Sequence, residues 1–134
     1  MNILLDTHVA IWCLNGDKNL PDYICQMILD PSNQIYYSTA SAWEIMLKHE
    51  RHPKNIPFDE VDFCQACEKA GFIPLNISEK HILAIGSLRK KENTPEHNDP
   101  FDRLILAQAK LECLTLFTHD ERIREYNERC IMPV

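Results

Sequence analysis

Four short apolar runs punctuate the chain: NILL at 2–5, QIYYS at 34–38, FIPLN at 72–76 and CLTLF at 113–117. Each is too short for a buried helix and reads as a strand. Between and after them lie longer stretches with helical spacing: 21–29 opened by Pro21, 40–50, 58–70 closed by Gly71, 78–90, and 100–112. Neighbouring parallel strands need a crossover about as long as a helix, so this alternation restricts the chain to an α/β layer fold with a mainly parallel central sheet flanked by helices. A Pro-bearing break, HPKNIP (52–57), precedes the 58–70 helix, and the polar stretch KENTPEHN (91–98) is predicted as a loop. A short helix is predicted from about 121, followed by a last apolar scrap, CIMPV. No repeat or linker interrupts the pattern. The 134 residues suit one domain with a real core, so residues 1–134 are expected to form a single domain.

Composition excludes several classes. No apolar run approaches the ~18 residues of a membrane span. The opening MNILLD carries an acid at position 6 and no basic segment, so no secretion signal is read and a cytoplasmic protein is expected. In that setting the six cysteines (13, 25, 64, 67, 113, 130) read as free thiols. The net charge of −6 argues against holding nucleic acid by bulk attraction. An acidic site that binds divalent ions would invert that argument locally.

In parallel α/β sheets, ligands bind outside the carboxyl ends of the strands. Asp6 ends the first strand, Glu44 lies in the first turns of the helix after the second, and Asp120 closely follows the 113–117 strand. Asp102 sits at the start of helix 100–112, whose N-terminus returns to that same edge. On this helix Asp102 shares a column with Ile105, Leu106 and Ala109, which turns a carboxylate toward the buried side. Burying a carboxylate costs roughly several kcal/mol unless a cation or hydrogen-bond donors compensate it. Four acids from distant segments thus converge on one edge, and their mutual repulsion calls for cations.

Each acid also has a purely structural reading. Asp99-Pro100 has the form of an N-cap followed by proline at N1, with Asp102 at N3 near the positive end of the helix dipole. Ser41 with Glu44, and Thr118 with Glu121, have capping-box spacing. Glu44 and Lys48 form a possible exposed i,i+4 pair. Asp120 is placed to cap the last helix. Caps explain each residue singly; they do not require convergence on one edge.

Other chemistries are poorly served. Cys64-Gln-Ala-Cys67, with His49 and His52 upstream, has zinc-type ligands, but its helical spacing beside Val61, Phe63 and Ala70 suits a core face better. HERH at 49–52 lacks the spacing of a zinc-protease motif, and glycines only at 16, 71 and 86 build no phosphate-cradling loop. His97 and His119 lie beside the acids and read as supporting or surface groups. Arg89-Lys90-Lys91 and the Lys48, Arg51, Lys54 cluster read as solvated faces.

LLDTHVAIW at the start, SAWEI at 41–45, HNDPFDRLILAQA at 97–109 and LFTHD at 116–120 resemble the PIN domain family, most of all its bacterial VapC-type toxin branch. The likeness runs nearly end to end, and DPFDRLILAQA is its most specific part. The resemblance implies a three-layer α/β/α fold and a metal-dependent endoribonuclease with Asp6, Glu44, Asp102 and Asp120 at the family's acidic positions. It implies Mg²⁺ or Mn²⁺ held by Asp6, Asp102 and Asp120, with Glu44 orienting or deprotonating water. It further implies RNA as substrate, a small antitoxin protein as partner, and a homodimer. The segment HERHPKNIPF replaces the Gly-Lys-Leu type segment usual in that branch, and NERCIMPV is an atypical ending; the quartet is intact. The rival reading is an acidic-pocket binding module. A receiver-like domain would want paired acids after the first strand and a lysine after the last, whereas Thr7 and His8 follow Asp6 here. A PIN fold without catalytic activity stays open.

Overall fold

The computed structural model describes residues 1–56 and 58–134; Pro57, in the predicted HPKNIP break, lies outside them. Five strands form one sheet in the order β3-β2-β1-β4-β5: β1 (Asn2–Leu5), β2 (Gln34–Ser38), β3 (Ile73–Leu75), β4 (Thr115–Thr118) and β5 (Ile131–Pro133). All neighbouring pairs are parallel. Strand β1 is buried on both faces. Its Ile3 and Leu5 pack toward α1 (Thr7–Asn15), α2 (Asp22–Leu29) and α4 (Glu60–Lys69). Its Leu4 packs toward α6 (Pro100–Leu111) and α7 (Glu121–Arg124). Side chains two apart share a face, so an uninterrupted apolar strand can fill two cores at once. The result is the expected three-layer α/β/α arrangement.

Helix α3 (Thr39–Arg51) contacts α4 in one layer and α6 in the other, and its Ala40 and Ile45 enter opposite cores. It therefore bridges the two layers near the carboxyl end of β2. The chain winds from β1 outward to β3, then crosses back so that β4 pairs with the free side of β1. The crevice at that reversal opens outside the ends of β1 and β4, where such sheets place ligands.

Several boundaries differ from those the sequence predicts. The predicted helix 78–90 stops early: α5 covers Glu79–Ala84, a 3₁₀ turn takes Ile85–Ser87, and Leu88 is extended. Gly86 weakens the helix there. Residues 89–91 instead bond to a second segment, with Asn127 N–H donating to Arg89 O and Lys91 N–H to Glu125 O. The strand expected at 113–117 begins at Thr115, because Cys113 takes a left-handed φ of 56° in closing α6. The apolar scrap at the end contains β5. Helix α1 has no counterpart among the predicted elements, since its apolar residues nearly encircle it and leave no polar stripe to reveal the period. Gly16, with φ of 62°, terminates it in a left-handed cap that a side chain would strain.

Candidate metal and catalytic site

Asp6 is held twice over. It caps α1, Oδ1 accepting from Val9 N–H at 2.8 Å, and Oδ2 accepts from His119 N–H at 3.3 Å. The latter bond joins the ends of β1 and β4 directly. Asp6 is only 4% exposed, and burial raises its pKa against the lowering effect of the Thr118 hydroxyl and the two N–H donors.

Glu44 is also buried. Thr7 Oγ1 donates to its Oε1 at 2.6 Å, and Lys48 Nζ donates to its Oε2 at 2.7 Å. Ser41 Oγ stands 2.8 Å from the Thr7 hydroxyl, so the end of β1 and the start of α3 share one polar cluster. The Ser41–Glu44 capping box is therefore not formed: Ser38 caps α3 by accepting from Ala40 N–H, and Ser41 faces the interior. The Glu44–Lys48 pair does form, with its lysine end half-exposed and its carboxylate buried.

Asp102 takes the position expected of it, at the start of α6, with Ile105, Leu106 and Ala109 fully enclosed below it. Its pKa rises to about 8, through burial first and then through the charges of Asp99, Asp120 and Glu44. Buried His97 approaches it, Nε2 lying 3.2 Å from Asp102 Oδ2. Burial lowers the His97 pKa, which favours the neutral imidazole, and the bond to Asp102 joins a neutral ring to a carboxyl that holds its own proton until about pH 8. Among the described residues no lysine or arginine pairs with Asp102, Asp99 or Asp120.

The structural roles of Asp99 and Asp120 hold alongside. Asp99 caps α6, accepting from Phe101 N–H at 2.9 Å and Asp102 N–H at 3.1 Å, with Pro100 at N1. Asp120 caps α7 through Arg122 N–H at 2.7 Å, while Thr118 Oγ1 accepts from Asp120 N–H at 3.0 Å. The Thr118–Glu121 box is thus replaced by an Asp120 cap.

Asp99, Asp120 and Glu44 therefore all act electrostatically on Asp102. Asp6 lies on the same edge, tied to His119 beside Asp120, but is not among the charges that raise Asp102. Among the described residues no three His, Cys, Asp or Glu side chains are gathered closely enough to ligate one ion. The donor chemistry nonetheless fits a small divalent cation. The groups are hard carboxylate oxygens, one of them carries an uncompensated penalty for its charge, and Mg²⁺ commonly takes only one or two carboxylates and fills its shell with water and phosphate. The sequence marks Ser41 and Thr118 only as candidate caps, and none of Thr7, Ser41 and Thr118 as a partner of the acids. Their only signal in that role is adjacency, since each lies within three residues of an acid of the quartet.

The CxxC motif packs as a core face. Cys67 is fully enclosed with Phe63, and its thiol pKa is pushed up to about 12, by burial before all else. His49 Nδ1 lies 2.7 Å from Ile56 O.

The strand order and the acid-lined reversal define a doubly wound α/β/α protein with its candidate site at the ends of β1 and β4. The family can be stated more closely. The model of the PIN domain family matches residues 3–129, and the chain belongs to that family. PIN domains are generally nucleases. A chain of the crystal structure of VapBC2 from Rickettsia felis, bound to a DNA fragment from their promoter, is similar in fold at a TM-score of 0.70. The two are 19% identical, the match covering 100% of this chain and 99% of that one. No curated protein matches this chain.

Proposed function

We propose that this PIN domain is a Mg²⁺- or Mn²⁺-dependent endoribonuclease and the toxin of a type II toxin–antitoxin pair. The observation that carries the reading is the Asp102 carboxyl, crowded by Asp99, Asp120 and Glu44 with no lysine or arginine paired to it among the described residues. Asp6 and Asp102 would hold the ion, with Asp120 a further ligand, direct or through water. When bound, the ion supplies positive charge that offsets charge developing on the scissile phosphate and makes water a better nucleophile near neutral pH. Glu44 orients the attacking water and takes its proton, while Thr7 and Lys48 fix the carboxylate in place. Hydrolysis then leaves a 5′-phosphate and a 3′-hydroxyl.

The likeness to a VapBC2 chain supports a small antitoxin protein as partner. A cytoplasmic location goes with an RNA substrate and is part of this proposal; separately, among the described residues no helix is long and apolar enough to cross a membrane. We assign it as a homodimer, with the exposed Ile82 and Leu83 of α5 as apolar contact residues. Sedimentation equilibrium should give the mass of two chains, falling to one in Leu83→Glu; a wild-type monomer at micromolar concentration removes this assignment.

Expression without a partner is expected to slow growth, and Asp6→Ala to relieve the effect. Growth curves with matched expression levels test this. An Asp6→Ala protein that folds and remains equally toxic would defeat the nuclease-toxin reading.

A further inference from the structure

Beside the acidic edge lies a small aromatic slot that the proposed chemistry does not use. His8 and Trp12 sit one turn apart on α1, and so on one face of it, with ring centroids 6.4 Å apart. Trp12 and His119 have centroids 4.9 Å apart at an interplanar angle of 62°. Together with Asp120 these rings line a cavity of about 160 Å³. His8 and His119 are exposed and Trp12 half-buried. The His119 ring is anchored, its Nδ1 2.8 Å from the Val134 backbone oxygen, and the backbone N–H of His119 donates to Asp6.

We propose that this slot binds one unpaired nucleobase of the RNA strand, next to the phosphate held at the acids; the proposal rests on the ribonuclease reading above. The cavity is below the roughly 300–1,000 Å³ of a site for a whole drug-sized ligand, and its scale is that of a single ring system. The rings meet one another edge-on, so they form walls and are not spent in stacking on each other. Bases drawn out of a strand stack on such side chains, histidine and tryptophan included, with little regard to sequence. A chain of net charge −6 cannot hold RNA by bulk attraction and needs a grip of another kind. Asp120 lines the slot and belongs to the acidic edge, so a base seated there leaves its own phosphate beside the acids. The slot would thus set where along the strand the acids act.

Trp12 can report on the slot directly. The chain has two tryptophans, and Trp43→Phe leaves Trp12 alone while keeping an aromatic ring against Phe101. In that background, adenosine 5′-monophosphate should quench Trp12 fluorescence saturably, and ribose 5-phosphate, which has the phosphate without the base, should not. His8→Ala and His119→Ala, both at exposed positions, should raise the half-saturating concentration roughly tenfold or more, and His8→Ala, whose ring has no hydrogen bond among the described residues, should do so without lowering Tm. On an RNA oligonucleotide the same variants should raise KM and leave kcat within about twofold. Absent quenching, equal quenching by ribose 5-phosphate, or unchanged half-saturation in both variants overturns the slot, whatever the cleavage rates. Base-dependent quenching that the variants weaken, in a protein that cleaves no RNA, would sustain the slot as a nucleobase site and remove the nuclease reading instead.

Discussion

Asp102→Asn is expected to abolish metal-dependent cleavage, and at the same time to leave the metal-free fold as stable as before or more so. The two effects have one cause. Asp102 carries a pKa of about 8 because burial and the charges of Asp99, Asp120 and Glu44 all oppose its ionisation. An amide keeps the shape, ends the repulsion, and removes the anionic oxygen that a hard cation requires. Saturating Mg²⁺ or Mn²⁺ should raise the melting temperature of the wild type by binding the folded state alone, and raise that of the variant far less. Asp99→Asn, three residues earlier, is the control. Asparagine caps a helix about as well as aspartate, so the loss should be at most a few tenths of a kcal/mol, and cleavage should persist. A pair of melting series with and without the ion, run beside an RNA assay, separates the residues. If Asp99→Asn loses cleavage and Asp102→Asn keeps it, the two roles are exchanged.

Without metal, stability is expected to fall as pH rises from 6.5 to 8, and bound Mg²⁺ should flatten that slope. The unfolded chain loses the Asp102 proton near 3.8, whereas the folded protein keeps it until about pH 8. Between those values the folded state binds the extra proton, so raising the pH costs up to ~1.4 kcal/mol per unit until the folded carboxyl ionises. The contribution is full below 3.8 and lost above about 8. Asp6, raised by burial, acts in the same direction. His97 acts in the opposite one: its lowered pKa makes stability rise with pH, but only until the unfolded imidazole has titrated near 6.5. That contribution fades over about the next pH unit, and comparison with Asp102→Asn, which keeps His97, isolates the carboxyl. Urea unfolding of wild type and Asp102→Asn in EDTA across that pH range measures the difference. A wild-type stability that climbs with pH there, or a slope equal to the variant's, would contradict the assignment.

The layer order and most elements are legible in the sequence, because four of the five strands are apolar runs bounded by polar or Gly/Pro signals. The rest is hidden for physical reasons. Helix α1 is apolar nearly all round, and Asp6, which reads as the end of a strand, is also its N-cap. The end of α5 turns on a tertiary event, since the backbone at 89–91 finds partners at 125–127 that no local pattern announces. The convergence of Asp102, Asp120 and Glu44 follows from topology alone, because each lies at the carboxyl end of a strand or the start of a returning helix. The hydrogen bonds that arm them do not. Thr7 reaches Glu44 across 37 positions and His119 reaches Asp6 across 113, distances at which a single sequence carries no sign of contact. His97 is marked only by its place beside the acids, and its burial against Asp102 is a product of packing.

The most direct test of the metal-dependent nuclease site is cleavage of a defined single-stranded RNA by purified wild type and Asp102→Asn, each in Mn²⁺ and in excess EDTA. The expected result is cleavage in one reaction of the four, wild type with Mn²⁺, giving fragments that begin with a 5′-phosphate. Cleavage by wild type that continues undiminished in EDTA, or cleavage by Asp102→Asn at the wild-type rate, would contradict it.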